Sequence, residues 1–501
     1  MTEWLKARPE RVFLIVAAYF ALNVIVRMAM PHALESDEAE QVFFAQWWAL
    51  GYGPQPPFYN WLQHAVFDLF GVSMLALSAT KCVLLFLIYL FYGLTARMLL
   101  KDRSWLPIVV LSLLTIPQIS FEAQRDLSHT VAVTFAASFF LFATVLTLKR
   151  PSLSSYVLLG LTSGLGLLAK YNFALLPAAV FVAVLADRDL RARLFDWRIL
   201  VSAAIAILLF LPHGVWLAEN LQAASANTIG KLTSGDAHSN IVTGWLEGIG
   251  SLAVALIGFA GVTLLVYAAI FRKALFASFS AGTPWTRFFE RVMLAILVFI
   301  VIMILAGADN IKDRWLTPLL FLLPLYFCLK MEASGLAGSA LLKPFWRTAA
   351  VIMTVIPAAL FLRMPLAHFT GDYQRPSTNY TGAFDTMTVD RTPGLVVTDR
   401  KLYAGSLRLK HPDIPFATSE FSLFETPHHA DADHPILLFW IKKSSDVGMP
   451  ASLLGWLDKA GLPQPTDQEM KQVAIPYHYA RGNDAELFGY AWIIPPPSGS
   501  N

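Results

Sequence analysis

Long apolar runs separated by short polar breaks dominate the chain up to residue 362. They occupy residues 12–30, 74–92, 105–119, 130–148, 156–168, 173–185, 199–216, 249–270, 292–306, 315–329 and 348–362. A hydrocarbon layer takes roughly 20 helical residues to cross, so the pattern predicts about eleven membrane-spanning helices, two of them near the short limit. Residues 156–185 also read as one long kinked helix, loosened by Gly160, Gly164 and Gly166 and interrupted by Pro177. Beyond residue 363 the pattern becomes that of a soluble domain. Short β-branched and aromatic runs at 394–398, 436–441 and 490–494 read as buried strands, and 401–410 and 451–460 as helices. The expected organisation is a transmembrane module over 1–363, with a long first loop at 31–73, followed by a small α/β domain over 364–501.

Composition sharpens this picture. The 501 residues are 56% hydrophobic and only 15% charged, against roughly 25% charged in globular proteins. That excludes a soluble enzyme and a disordered chain. Two cysteines, Cys82 and Cys328, both inside apolar runs, make no disulfide framework. A formal net charge of +3 gives no reason to expect nucleic acid as a partner.

The placement of the cations is more informative than their sum. Alternate loops hold Lys6, Arg8 and Arg11; Arg97, Lys101 and Arg103; Lys149 and Arg150; Arg188, Arg191, Arg193 and Arg198; Arg272, Lys273, Arg287 and Arg291; and Lys330, Lys343 and Arg347. The intervening loops hold only Arg125, Lys170, Lys231, Lys312 and Arg314. By the positive-inside rule the N-terminus is cytoplasmic and everything after residue 362 is outside the cytoplasm. The first span is too long for a signal-peptide core and reads as a retained anchor. The expected location is therefore the cytoplasmic (inner) membrane, with the C-terminal domain periplasmic.

The loop 31–73 carries the strongest chemical signal. It reads Glu35-Ser36-Asp37-Glu38-Ala39-Glu40 and, after an aromatic stretch, Gly53-Pro54-Gln55-Pro56-Pro57-Phe58-Tyr59. Phe43, Trp47 and Leu50 share one helical face and Trp61, Ala65 and Leu69 another, which predicts two short helices at the membrane interface. Four carboxylates beside lipid with no Lys or Arg in the loop are candidates for base or ligand. They equally suit the start of a helix, with Ser36 as its N-cap and the acids on the positive end of the dipole.

An Asp-Glu pair just after the first span, a Pro-Pro-aromatic motif about twenty residues on and an odd number of spans ending in an outer domain resemble the GT-C fold glycosyltransferases that use polyprenyl-phosphate sugars. The family includes the aminoarabinose and galacturonic acid lipid A transferases and the protein O-mannosyltransferases. Further stretches agree over roughly the first 330 residues: Gly164 to Tyr171, Leu211-Pro212-His213-Gly214-Val215-Trp216 with Asn220, and Asp313-Arg314-Trp315-Leu316-Thr317-Pro318. One departure stands out. Relatives carry an acid and then His or Lys before the Pro-Pro pair, where this chain has Pro54 and Gln55.

The resemblance implies an inverting transfer of a sugar from a polyprenyl-phosphate carrier to an extracytoplasmic acceptor such as lipopolysaccharide, lipid A or another envelope glycan. It implies Asp37 as the base, Glu38 as its helper, and outer-side cations at the developing phosphate charge. Should the acceptor be a phosphate, Asp37 positions the sugar instead. Lys312 with Arg314 are the first candidates for the phosphate, followed by Lys170 and by Arg125 with Asp126; Tyr59 and His213 are candidates for substrate contact. A divalent metal is compatible with the family, but Pro54 and Gln55 replace its expected ligands. The run His428-His429-Ala430-Asp431-Ala432-Asp433-His434 has metal-ligand types but reads better as a solvated loop. Two other functions remain open, a protein O-glycosyltransferase and a lipid-linked sugar flippase. Ionisable residues that collect at the ends of spans rather than at mid-membrane favour an enzyme at the interface over a transporter.

Overall fold

The computed structural model describes residues 1–222, 224, 241–442 and 448–496; Lys231, one of the sparse cations, lies outside them. Every apolar run noted above is helical. Among the described residues seven helices are long and apolar enough to cross a membrane: Pro9–Ala29, Met74–Leu99, Ser128–Lys149, Arg198–Glu219, Ile241–Phe271, Pro284–Leu305 and Gly338–Leu362. Two bent pairs bring the number to nine if each is one span. Arg103–Thr115 meets Gln118–Arg125 at 75°, and Asp313–Leu320 meets Leu323–Ala333 at 46°. Proline explains both bends, since Pro117 and Pro324 each follow a break and withhold the N–H that would continue the helix. The remaining apolar helices, Leu153–Ala169 and Tyr171–Leu185, are shorter than an ordinary span, so the expected count of eleven is met in helical segments but not in full-length crossings. The protein is an integral membrane protein.

The stretch 156–185 is two helices, and the break falls at Lys170, whose backbone is extended (φ −167°, ψ 138°). Pro177 does not interrupt the second helix: it lies near the start of the α-helical part Leu175–Leu185, just after the 3-10 turn Tyr171–Ala174. The glycines do not loosen the first helix; they bring it close to its neighbour. A Cβ at Gly160 would lie 2.6 Å from the Ser202 carbonyl oxygen, and one at Gly164 would lie 2.9 Å from Leu209. Two small residues four apart thus let Leu153–Ala169 lie directly on Arg198–Glu219, as in small-xxx-small membrane packing. Ser202 Oγ donates to the Tyr156 carbonyl at 2.6 Å across that contact.

The chain divides into two compact units. The first comprises Met1–Asn23, Ala49–Tyr59 and Lys81–Ile356; the second comprises Val24–Trp48, Asn60–Thr80 and Pro357–Asn501. The second unit contains a five-stranded sheet of β1 (Leu395–Thr398), β2 (Phe416–Thr418), β3 (Ile436–Ile441), β4 (Lys471–Pro476) and β5 (Ala485–Ile493), in the order β2-β1-β3-β5-β4. β1 pairs in parallel with β2 and β3, while β5 runs antiparallel to β3 and β4. Alternation along β3 separates two cores. Ile436, Leu438 and Trp440 join Leu453 and Leu457 of helix Ala451–Ala460 on one face. On the other face Phe439 meets Phe488 and Tyr403. β4 is the exposed edge and ends at Pro476, which suits an edge strand.

Candidate active site

In the second unit the acidic run forms helix Ser36–Phe44. Its N-cap is Glu35 rather than Ser36. Glu35 and Glu38 close a reciprocal capping box, in which the Glu35 N–H donates to Glu38 Oε2 at 3.3 Å. Ser36, one residue into the helix, instead accepts from Arg375 Nη1 at 2.6 Å. The helix ends at Phe44, so Trp47 and Leu50 lie beyond it. Trp47 leaves the expected interfacial face to donate to the Glu425 carbonyl at 3.1 Å and to pack on Phe421 and Phe424. The second short helix runs Phe58–Phe70, directly after Pro56-Pro57.

Glu35, Glu38 and Glu40 each have a basic partner. Glu35 pairs with Arg363 at 2.8 Å, Glu38 with Arg27 at 3.1 Å and Glu40 with Lys401 at 2.6 Å. Glu38 is 2% exposed, and Arg27 also donates to the Pro31 and Ala33 carbonyls, strapping the turn that follows the first long helix. Burial pulls the Lys401 ammonium pKa down, but Glu40, with Glu420 and Asp37, outweighs it and leaves that pKa raised. Asp37, half-buried on the same helix, is within Coulombic reach of Lys401.

The helix is held against Lys401–Arg408 by a contact only glycine permits, because a Cβ on Gly405 would fall 2.0 Å from the Ala39 carbonyl oxygen. Arg408 donates to the Val42 carbonyl at 2.8 Å. Burial pushes its guanidinium pKa down to about 10, which still leaves it charged at neutral pH.

The first unit gathers the candidate cations by means of uncharged side chains. Lys312 immediately precedes helix Asp313–Leu320 and Arg314 is in its first turn; both are half-buried. Among the described residues neither side chain has an ion pair. Asp313 between them turns to Gln118, whose Nε2 donates to Asp313 Oδ2 at 2.7 Å and to the Gly258 carbonyl at 3.2 Å. Gln118 opens the π-helical turn Gln118–Glu122 that leads to Arg125, so one amide links the Lys312–Arg314 segment to the Arg125–Asp126 loop. Arg125 pairs with Glu122 at 2.6 Å. Leu127, just after Asp126, takes a left-handed conformation (φ 65°), a strained geometry that turns the loop into helix Ser128–Lys149.

A second amide brings in Lys170. Asn172 Nδ2 donates to the Trp315 carbonyl at 3.1 Å, and Lys170 Nζ donates to Thr130 Oγ1 at 3.1 Å. Tyr59, fully buried, lies against His129, the neighbour of Thr130. Seven of the sequence candidates thus belong to this unit, and Lys312, Arg314, Lys170, Arg125 and Asp126 are tied together through Gln118, Asn172 and Thr130. His213 sits apart from that chain of contacts. Its Nδ1 lies 2.8 Å from the Leu50 carbonyl and its Nε2 3.0 Å from the Tyr171 hydroxyl. A carbonyl only accepts, so in the neutral ring Nδ1 carries the proton and Nε2 accepts from Tyr171. With stacking on Tyr171 and Trp216, His213 spends its whole ring inside the protein.

Sequence reasoning passed over Arg27, Gln118 and Asn172. Each is a polar residue inside or at the end of an apolar run, where polarity is costly and usually has a task. Among the described residues no three His, Cys, Asp or Glu side chains converge in a way that could hold a metal ion. His434 Nδ1 lies 3.4 Å from Asp431 Oδ1 in an exposed loop. The described residues thus offer no fit for the metal that the family resemblance allows.

Two relatives from Rhizobium johnstonii align with nearly the whole chain. The lipopolysaccharide core galacturonosyltransferase RgtB is 46% identical over 99% of this chain and 100% of its own length. The lipopolysaccharide core galacturonosyltransferase RgtA is 42% identical over 96% and 97%. The chain belongs to this family of GT-C glycosyltransferases. Residues 54–216 also match the dolichyl-phosphate-mannose-protein mannosyltransferase family. The fold is that of ArnT from Cupriavidus metallidurans, to which the chain is similar both in the structure bound to undecaprenyl phosphate (TM-score 0.61, 13% identity, 95% of this chain and 97% of that one) and in the apo state (TM-score 0.54, 13% identity and the same coverage). The protein is a membrane-embedded glycosyltransferase, and a flippase is set aside.

Proposed function

We propose that this enzyme transfers galacturonic acid from a polyprenyl-phosphate carrier to the core of lipopolysaccharide on the periplasmic side of the inner membrane. Full-length identity to two galacturonosyltransferases named for that acceptor carries the reading. The orientation, with the N-terminus cytoplasmic and the C-terminal domain periplasmic, rests on the alternation of Lys and Arg between loops. The partial match to a protein mannosyltransferase family covers a helix-rich segment that this fold shares across acceptors, and it does not outweigh relatives that match over the whole chain.

In the proposed reaction an acceptor hydroxyl oxygen bonds to the anomeric carbon as the bond from that carbon to the carrier phosphate breaks. The hydroxyl proton passes to Asp37, and the phosphate leaves with both electrons of the broken bond. Lys312 and Arg314 hold that phosphate, supported by Lys170 and by Arg125 with Asp126. Their lack of ion-pair partners among the described residues is what recommends the first two. Half-buried cations beside lipid keep their attraction for an anion because little water screens them. Tyr59 and His213 shape this region, His213 by fixing Tyr171 and the Leu50 turn. Glu38 supports Asp37 by capping their common helix.

The test is transfer by the purified protein in lipid. Carrier-linked galacturonic acid, aminoarabinose and mannose are offered with lipopolysaccharide core as acceptor. The proposal expects transfer of galacturonic acid at least tenfold faster than the other two. Equal rates with mannose, or transfer to protein and not to lipopolysaccharide, contradict it.

A further inference from the structure

The second unit holds a half-open cavity of about 460 Å³, within the roughly 300–1,000 Å³ range of small-molecule sites. Four segments far apart in sequence meet there. His32 follows the first long helix, Ser406 and Lys410 come from helix Lys401–Arg408 and the turn after it, His478 follows β4, and the start of helix Tyr380–Met387 completes the wall. Three basic side chains therefore share the lining with a single carboxylate, the exposed Asp385. Burial and then Lys410 hold the His32 imidazole below its usual pKa, and burial and then His32 do the same for His478. The basic groups thus feel one another, and the fold gives up proton affinity to keep them together.

The uncharged lining points the same way. Ser406 is 3% exposed, and its hydroxyl, among the described residues, has no hydrogen-bond partner although it borders the cavity. A buried hydroxyl at the cavity wall is open to a hydrogen bond from a group in the cavity, whether water or ligand. Asn379 Oδ1 accepts from the Gly382 N–H at 3.0 Å and caps helix Tyr380–Met387, so the positive end of that helix opens on the same space. Hydroxyl and amide groups surrounding a basic cluster suit a hydroxylated ligand bearing one negative charge.

We propose that this cavity binds an anionic sugar, a saccharide unit carrying a carboxylate or a phosphate, on the glycan acceptor. The inference rests on the reading above that the acceptor is an envelope glycan. It adds a recognition site that tells the acceptor from neutral glycans. An anion in the cavity raises both imidazole pKa values, so binding takes up protons and affinity falls as pH rises through those values. The charged groups facing the two histidines are Lys410, Arg27 and Asp385.

Binding of free galacturonate, galactose 1-phosphate, galactose and inorganic phosphate to the full-length protein in lipid nanodiscs tests the proposal. The anionic sugars should bind at least about tenfold tighter than galactose, the difference one charge-assisted contact makes. Lys410→Gln should remove most of that preference, and Ser406→Ala should weaken anionic-sugar binding severalfold. The His32→Gln, His478→Gln double variant should flatten the pH dependence. A larger loss for galactose 1-phosphate than for galacturonate in Lys410→Gln assigns the site to a phosphorylated unit, and the reverse to a uronic acid. Equal binding of galactose and galacturonate, inorganic phosphate binding as tightly as the sugar phosphate, or unchanged binding in Lys410→Gln overturns the proposal. Binding is read without turnover, so a protein that shows this pattern yet transfers no galacturonic acid sinks only the assigned reaction.

Discussion

The acidic helix Ser36–Phe44 and the cation-bearing segments around Lys312 and Arg314 both place charge where water is scarce, yet they secure it differently. On the helix, charge is matched with charge: Glu35 with Arg363, Glu38 with Arg27 and Glu40 with Lys401. Around Lys312 and Arg314 the backbone is secured by neutral amides, Gln118 to Asp313 and Asn172 to Trp315, and the two cations have no ion pair among the described residues. Where partners are charged, the charges are consumed in holding the fold. In the proposed reaction, the cations held among neutral partners keep their field for the carrier phosphate. Within the acidic run Glu35, Glu38 and Glu40 hold the fold, and it is the place of Asp37 in the family motif, not its surroundings, that makes it the proposed base.

The largest effect is expected at the acidic helix. Asp37→Asn should lower transfer by roughly 100-fold to 10,000-fold, the usual contribution of a general base, with the protein still folded and inserted in the membrane. Glu38→Gln should do the opposite. It leaves Arg27 half-buried without its carboxylate, and losing one member of a buried pair costs about 3–5 kcal/mol, so the protein's melting temperature and abundance fall first. If Asp37→Asn behaves like Glu38→Gln, the distinction within the helix fails and the whole run is structural.

Next come the cations. Lys312→Ala and Arg314→Ala should each weaken use of the carrier-linked donor by about 10-fold to 100-fold, matching about 1.5–3 kcal/mol for a charge-assisted hydrogen bond. Steady-state kinetics with varied donor would show it, and stability should hardly change because no ion pair is broken. Unaltered donor dependence in both variants would reduce these cations to interfacial anchors. The smallest effect belongs to the support. Gln118→Ala removes two hydrogen bonds and should raise the donor KM severalfold with kcat nearly constant, as expected of a positioning residue. A fall in kcat alone would give Gln118 a different role.

How much of this was legible in the sequence varies with the range of the interaction. Apolar runs become helices because membrane crossing is a local demand, and strand 436–441 is plain because both its faces are buried. β4 escaped notice because an exposed edge carrying Lys471, Gln472 and Pro476 lacks an apolar signature, and β2 has only three residues. The two runs 156–168 and 173–185 are indeed separate helices, whereas the glycines, read as loosening a single kinked one, serve close packing against Ser202 and Leu209. Ser36 looked like the cap because side-chain type alone favours it, yet Glu35 takes the place once Glu38 closes the box. The long-range ion pairs were out of reach. Glu35 and Arg363 are 328 residues apart and Glu40 and Lys401 are 361 apart, and no local pattern couples them. The absence of Lys and Arg from loop 31–73 was correctly seen, but it did not mean that the acids lacked basic partners.

The central claim is a division of labour, with the carrier phosphate held by Lys312 and Arg314 and the proton taken by Asp37. It is tested most directly by measuring undecaprenyl phosphate binding to the wild-type protein, to Asp37→Asn and to the Lys312→Ala, Arg314→Ala double variant in lipid nanodiscs. The account predicts that Asp37→Asn binds the carrier as the wild type does while failing to transfer sugar, and that the double variant loses at least about tenfold in carrier affinity. Weakened carrier binding in Asp37→Asn together with full binding in the double variant would contradict it.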